Sequence, residues 1–214
     1  MNKEELNIHV FMVCNNIDTT AFKDLPEGFS VRYLRKNELE IWKKLPFYEY
    51  DYTEKHQKYM TEWYNTFYGI NEELFYKSCH VVCNKKDEII GSSFLWRSYN
   101  GLINSIHWFK VIQEYENKGL GRALLTILLK NVNKINMPIY LHTQIRSYRA
   151  IKLYTDFGFK ILSNEKIYKE KNDINKIKLL LKEYIPKEYY VKIKYVKAPI
   201  NFIKIMEKYE YLEM

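Results

Sequence analysis

The sequence predicts a mixed α/β fold (α+β in its sheet), with a central, mostly antiparallel sheet flanked by helices. Two observations carry this. Between Phe29 and Val111, four strand-like runs alternate with turns or helical stretches. From His107 to Phe159, an apolar strand then runs into a glycine turn, a helix, a second strand and a second helix. Strands joined by hairpins pair antiparallel, whereas a strand–helix–strand passage requires a parallel pair.

Taken in order, residues 7–13 are strand-like and read as an added edge strand or a dimer arm. Leu25-Pro26-Glu27-Gly28 is a turn, and Phe29 to Leu34 is the first core strand. A helix follows, with Asn37 as N-cap, Leu39, Ile41, Trp42 and Leu45 on its apolar side, and Pro46 as its stop. Phe47 to Tyr68 is rich in aromatic residues, including Tyr59, Trp63, Phe67 and Tyr68. Single rings there are expected to pack helices onto the sheet. Glu49, Asp51 and Glu54 in the same stretch form either a solvated acidic face or an attraction for a cationic amine.

His80–Asn84 and Glu88–Ser98 form a hairpin around Lys85-Lys86-Asp87, and Ile103–Val111 is the next strand. Beyond residue 164 the chain predicts a helix over 173–184 and a last amphipathic helix after Pro199. Residues 189–196 between them read as either a strand or a short helix. The organisation is an N-terminal arm or edge strand over 1–28, a core over 29–164 and a C-terminal extension over 165–214.

Composition narrows the class of function. At 214 residues, 47% apolar and 28% charged, the chain is an ordinary globular protein. Its N-terminus has no signal-peptide pattern, and no apolar run approaches the ~20 residues that span a bilayer. A cytoplasmic protein without membrane attachment is expected. Cys14, Cys79 and Cys83 make neither a disulfide framework nor a metal site, and they read as buried thiols. The net charge of +8 comes mostly from scattered Lys, with Arg at only six positions. That pattern argues against nucleic acid as a partner.

The chemistry centres on Gly119-Leu120-Gly121. Two glycines one residue apart let the backbone turn tightly and approach a ligand closely. The helix that follows opens with unpaired N–H groups and a positive dipole end, which suit a phosphate, and Lys118 and Arg122 add cations. The dinucleotide fingerprint is excluded because Leu124 stands where its third glycine belongs. A P-loop is excluded because Arg122-Ala123 follows the last glycine.

The run Val111-Ile112-Gln113-Glu114-Tyr115-Glu116-Asn117-Lys118-Gly119-Leu120-Gly121-Arg122-Ala123-Leu124-Leu125 resembles the acetyl-CoA loop of the GNAT acetyltransferase superfamily. Ala150-Ile151-Lys152-Leu153-Tyr154-Thr155-Asp156-Phe157-Gly158-Phe159 is similar to that family's second signature, in the right order and separation. The resemblance covers roughly Phe29 to Leu162. It implies an acyl-CoA N-acyltransferase fold and an enzyme that moves acetyl from acetyl-CoA to a primary amine by direct attack. The acceptor would be a small molecule or a peptide, and no metal is involved.

The resemblance also assigns residues. The pantetheine arm would lie along the backbone of Phe109, Lys110 and Val111. The diphosphate would sit on the amides of Glu116, Asn117, Lys118, Gly119, Leu120 and Gly121 and just beyond, at Arg122 and Ala123. Ser147 stands where the family often has a cofactor-contacting Asn, and Glu116 where it usually has Gln or Arg. Tyr154 would protonate the leaving thiolate, and a backbone N–H near Val111 would meet the oxyanion. His142 and His107 are the candidates for the base, with His107 ranged on the side of Phe109 by strand alternation. The aromatic stretch would border the acceptor site. A non-catalytic acyl-CoA-binding regulatory module is the alternative that the Glu116 and Ser147 departures keep open.

Overall fold

The computed structural model describes residues 5, 7–49, 51–168, 170–209 and 212–213. Its strands are β1 His9–Cys14, β2 Ser30–Tyr33, β3 His80–Cys83, β4 Ile89–Arg97, β5 Ile103–Val111, β6 Ile139–Gln144, β7 Lys160–Leu162, β8 Lys166–Ile167, β9 Glu170–Lys171 and β10 Tyr195–Val196. Its helices are α1 Leu39–Lys44, α2 Glu54–Phe67, α3 Glu72–Ser78, α4 Leu120–Leu129, α5 Tyr148–Asp156, α6 Ile174–Tyr184, α7 Lys187–Tyr190 and α8 Ile200–Lys208. No described helix is long and apolar enough to cross a membrane.

The chain forms two compact units. One comprises residues 1–21, 97–106 and 132–214, and the other residues 22–96 and 107–131. Strand β5 contributes its first half to the former and its second half to the latter.

In the first unit the strand order is β10-β7-β1-β6-β5. β1 pairs antiparallel with both β6 and β7, β10 pairs parallel with β7, and β5 pairs parallel with β6 at Asn104↔Ile139 and Ser105↔Tyr140. The segment expected at an edge or as an arm is therefore an interior strand. Val10, Phe11, Met12, Val13 and Cys14 are all at most 4% exposed, which is what burial on both faces demands. The C-terminal extension belongs to the same core. Phe202 of α8 stacks on Tyr140 with ring centroids 4.1 Å apart, and Met206 lies buried with Phe11, Tyr99 and Leu162. The stretch over 189–196 holds both expected forms: α7 ends at Tyr190 and β10 begins at Tyr195. Asp173 caps α6 by accepting a hydrogen bond from the Lys176 N–H at 3.1 Å.

In the second unit the order is β5-β4-β3-β2, with β3 antiparallel to both β2 and β4. Helix α1 is shorter than its apolar pattern suggests, because 3₁₀ turns flank it on both sides. Its N-cap is Glu38, not Asn37, and makes no side-chain capping bond to the helix; the Glu38 carboxylate instead accepts from the Arg35 N–H at 2.9 Å, ahead of the preceding 3₁₀ turn. Glu38 also takes a forked pair of 2.8 Å bonds from Arg32 and so ties β2 to the helix entry. Along α2, Met60 and Tyr64 are buried and Tyr68 continues their line, meeting Trp42, Phe75, Phe94 and Trp96. Burying each such ring stabilises the unit by about 1.5–3 kcal/mol. Among the described rings of the aromatic stretch, Tyr64 and Tyr68 are buried by this packing, whereas Tyr48 and Tyr59 are exposed.

Candidate active site

In the second unit the site is built on the end of β5. Trp108 has φ +47°, a left-handed value that a bulky residue seldom adopts inside a strand. The hydroxyl of Ser93 donates to the His107 carbonyl at 3.1 Å, and that of Ser92 donates to the Trp108 carbonyl at 3.3 Å. His107 Nδ1 and Trp108 Nε1 both reach the Tyr68 hydroxyl, at 2.6 and 2.9 Å. A regular strand sends successive side chains to opposite faces, so two neighbours sharing one partner mark a bulge. Strict alternation from His107 to Phe109, on which their common side was expected, is broken here.

The Tyr68 hydroxyl is an organising point. It is fully buried and also accepts from Trp63 Nε1 at 3.1 Å. Indole nitrogens only donate, so Trp63 and Trp108 fill both of its lone pairs and its proton goes to His107 Nδ1. The ring proton of neutral His107 is thereby placed on Nε2. His107 is 3% exposed, and burial pushes its pKa down to about 3.

Two further residues shape the strand end, and sequence reasoning missed what they do. A Cβ on Gly91 of β4 would lie 2.6 Å from the Lys110 carbonyl oxygen and 3.3 Å from Val111 Cα. Only glycine lets β4 approach this backbone so closely, and its signal was a lone glycine inside a strand pattern. Glu49 receives the Lys110 ammonium at 2.7 and 2.5 Å on its two oxygens and the Gln113 N–H at 3.2 Å. Its carboxylate is thus held against the start of the loop. Asp51 and Glu54 are exposed.

The loop follows. Asn117 at φ +60° and Gly119 at φ +81° put two left-handed residues into three positions and curl the chain onto the start of α4. Gly119 is the N-cap and provides no side chain to close the helix, and the first intrahelical bond is from the Ala123 N–H to the Gly119 carbonyl at 3.0 Å. The first turn of α4, with the N–H groups of Leu120, Gly121 and Arg122, thus opens on a glycine N-cap, without acidic residues in that turn and with an exposed approach at Asn117, Lys118 and Gly119. Lys118 lies over the Tyr115 ring at 4.6 Å, and Asn84 donates to the Tyr115 hydroxyl at 3.1 Å. Leu120, Ala123, Leu124 and Leu125 anchor the helix in the core. This backbone fits a diphosphate, because a helix N-terminus offers directed donors and a positive dipole end.

In the first unit, His142 is half-buried on β6 opposite Phe11, with ring centroids at 4.9 Å, and His9 lies 4.7 Å away. Ser147 is the N-cap of α5 and makes no capping hydrogen bond with its side chain. Tyr154 is 4% exposed, its ring 5.7 Å from Phe159, and burial pushes its phenol well above the usual range. Helix α5 closes with a left-handed Gly158 at φ +93°; Gly158 donates to the Thr155 carbonyl at 3.0 Å and Phe159 to the Tyr154 carbonyl at 3.1 Å. That is a Schellman closure. A Cβ on Gly158 would lie 2.6 Å from the Asn16 carbonyl oxygen, so this glycine is needed for packing as well as for the turn. Among the described residues no cluster of His, Cys, Asp or Glu is arranged to hold a metal.

Comparison with known proteins agrees with this architecture. The model of the acetyltransferase (GNAT) family matches residues 38–159, more than half of the chain, and the protein belongs to that family. A search of curated proteins finds no match. Among solved structures, a Pyrococcus horikoshii OT3 protein is 25% identical, covers 64% of this chain and 92% of its own, and superposes with a TM-score of 0.50. A GNAT-family acetyltransferase from Colwellia psychrerythraea is 16% identical with a TM-score of 0.51, covering 73% of this chain. This chain spans about half the length of that protein, at 53%. These likenesses bear on the fold, which is the mixed α/β fold that the sequence predicts.

Proposed function

We propose that the protein is an N-acetyltransferase that carries the acetyl group of acetyl-CoA to a primary amine by direct attack in a ternary complex. The observation that carries this reading is the start of α4, opened by a glycine N-cap and entered through left-handed Asn117 and Gly119. The backbone from Glu116 through Arg122 and Ala123 would hold the diphosphate, and that of Phe109, Lys110 and Val111 the pantetheine arm. Ser147, with no capping bond to make, would add a hydroxyl contact to the cofactor. Acetyl-CoA supplies the acetyl group already activated as a thioester.

In the reaction the amine nitrogen bonds to the acetyl carbon, the carbon–sulfur bond breaks, and one amine proton leaves to a base. We assign the base to His142. It is half-buried on its strand, whereas His107 has a pKa depressed to about 3 and its Nδ1 already accepts the hydrogen bond of the Tyr68 hydroxyl. Tyr154 would protonate the departing thiolate. Burial raises its pKa, so the phenol carries its proton at neutral pH and does not serve as the base. Tyr154→Phe is expected to lower kcat about 100-fold while leaving acetyl-CoA affinity in place. Unchanged turnover would remove Tyr154 from the chemistry.

A further inference from the structure

Along α2, Tyr59, Trp63 and Phe67 stand at successive turns of the helix, one residue behind the buried row of Met60, Tyr64 and Tyr68. Their rings follow one another with centroids 5.8 and 4.7 Å apart. Tyr59 is 47% exposed, and Trp63, Phe67 and Trp108 are each half-buried. Trp108, on the bulge of β5, meets Trp63 at 5.8 Å with the ring planes at 87°. The two indoles make a right-angled corner, one residue before the strand segment Phe109–Val111.

The hydrogen bonding of this corner limits what it can bind. Both indole N–H groups are turned inward onto the fully buried Tyr68 hydroxyl. An indole has no other polar atom, so the corner presents carbon faces and edges and no donor. A sugar or other polyhydroxylated body would lose its water there without replacement hydrogen bonds. Two neighbouring carboxylates are already paired: Glu49 is committed to Lys110, and Glu62 lies 3.9 Å from Lys58.

We infer that the Trp63–Trp108 corner is the subsite for the body of the acceptor, and that the acceptor is a primary amine carried on an aryl or alkyl group. This rests on the acyl-transfer reading above. Trp63 is then a specificity-determining residue, and Tyr68 a positioning residue that keeps the donor edge of both indoles turned in.

The test uses the full chain with acetyl-CoA and five amines: phenethylamine, hexylamine, cadaverine, spermidine and glucosamine. Phenethylamine and hexylamine are expected to exceed the other three in kcat/KM by about tenfold or more. Trp63→Leu is expected to remove at least about tenfold of that preference through KM, with calorimetric acetyl-CoA affinity unchanged, and exposed Tyr59→Ala to lose less. Preference for cadaverine, spermidine or glucosamine would overturn the inference. So would undiminished selectivity in a Trp63→Leu protein that still binds acetyl-CoA. If acetyl-CoA does not bind at all, the acyl-transfer reading fails by itself, and the corner is read from tryptophan fluorescence. Saturable quenching by phenethylamine that is lost in Trp63→Leu supports the subsite, and its absence in the native chain refutes it.

Discussion

At the scale of single residues, the second unit depends on a few atoms that cannot be exchanged. Tyr68→Phe keeps every ring contact but leaves two indole N–H groups and His107 Nδ1 without the hydroxyl that joins them. Buried polar groups left unmatched cost about 1–3 kcal/mol each, so with three of them denaturant unfolding should show a loss of about 3 kcal/mol or more. A loss under 0.5 kcal/mol would mean that water replaces the hydroxyl. Gly91→Ala pushes a methyl to 2.6 Å from the Lys110 carbonyl oxygen, a backbone atom that cannot swing aside. It should weaken acetyl-CoA binding more than about tenfold, which calorimetry would read.

At the scale of elements, the motifs and the hairpins were legible because their signals are local. Gly119, Gly158 and the strand of 103–111 stand where the sequence puts them. The interior place of β1 was less legible, since an unbroken apolar run such as Val10-Phe11-Met12-Val13 states double burial without naming its neighbours. The bulge at Trp108 was hidden because what holds it lies far away in sequence, on Ser92, Ser93 and Tyr68. The same bulge removes strict alternation as the ground for ranging His107 with Phe109. Glu38 stands at the N-cap of α1 in place of Asn37 but gives its carboxylate to Arg32 and the Arg35 N–H, which spacing alone does not reveal.

The C-terminal segment carries an element-scale prediction of its own. Glu213 accepts from the Tyr99 N–H at 2.5 Å and its own N–H donates to the Tyr99 hydroxyl at 3.0 Å. It is 6% exposed, and burial raises its pKa from 4.5 to about 7. A raised carboxyl pKa means that the folded state favours the neutral form. Its stabilising share is complete below pH 4.5 and is lost as pH rises through about 7. Glu213→Gln should therefore gain about 5–10 °C in Tm relative to the native chain between pH 5 and pH 8.5. An equal difference at both pH values would contradict the assignment.

At the scale of the whole molecule, family membership defines a donor chemistry and leaves the acceptor to local side chains. The proposed reaction rests on a glycine turn and the backbone amides that open α4 for acetyl-CoA, and on His142 and Tyr154 for the protons. The measurement that tests it most directly is calorimetric titration of the purified chain with acetyl-CoA, followed by thiol release on addition of amines. The account predicts saturable one-to-one binding, abolished when Gly121 is replaced by a bulky residue, and thiol release with at least one primary amine. Binding without release from any amine would favour a regulatory acyl-CoA-binding module, and no binding of acetyl-CoA would contradict the central claim.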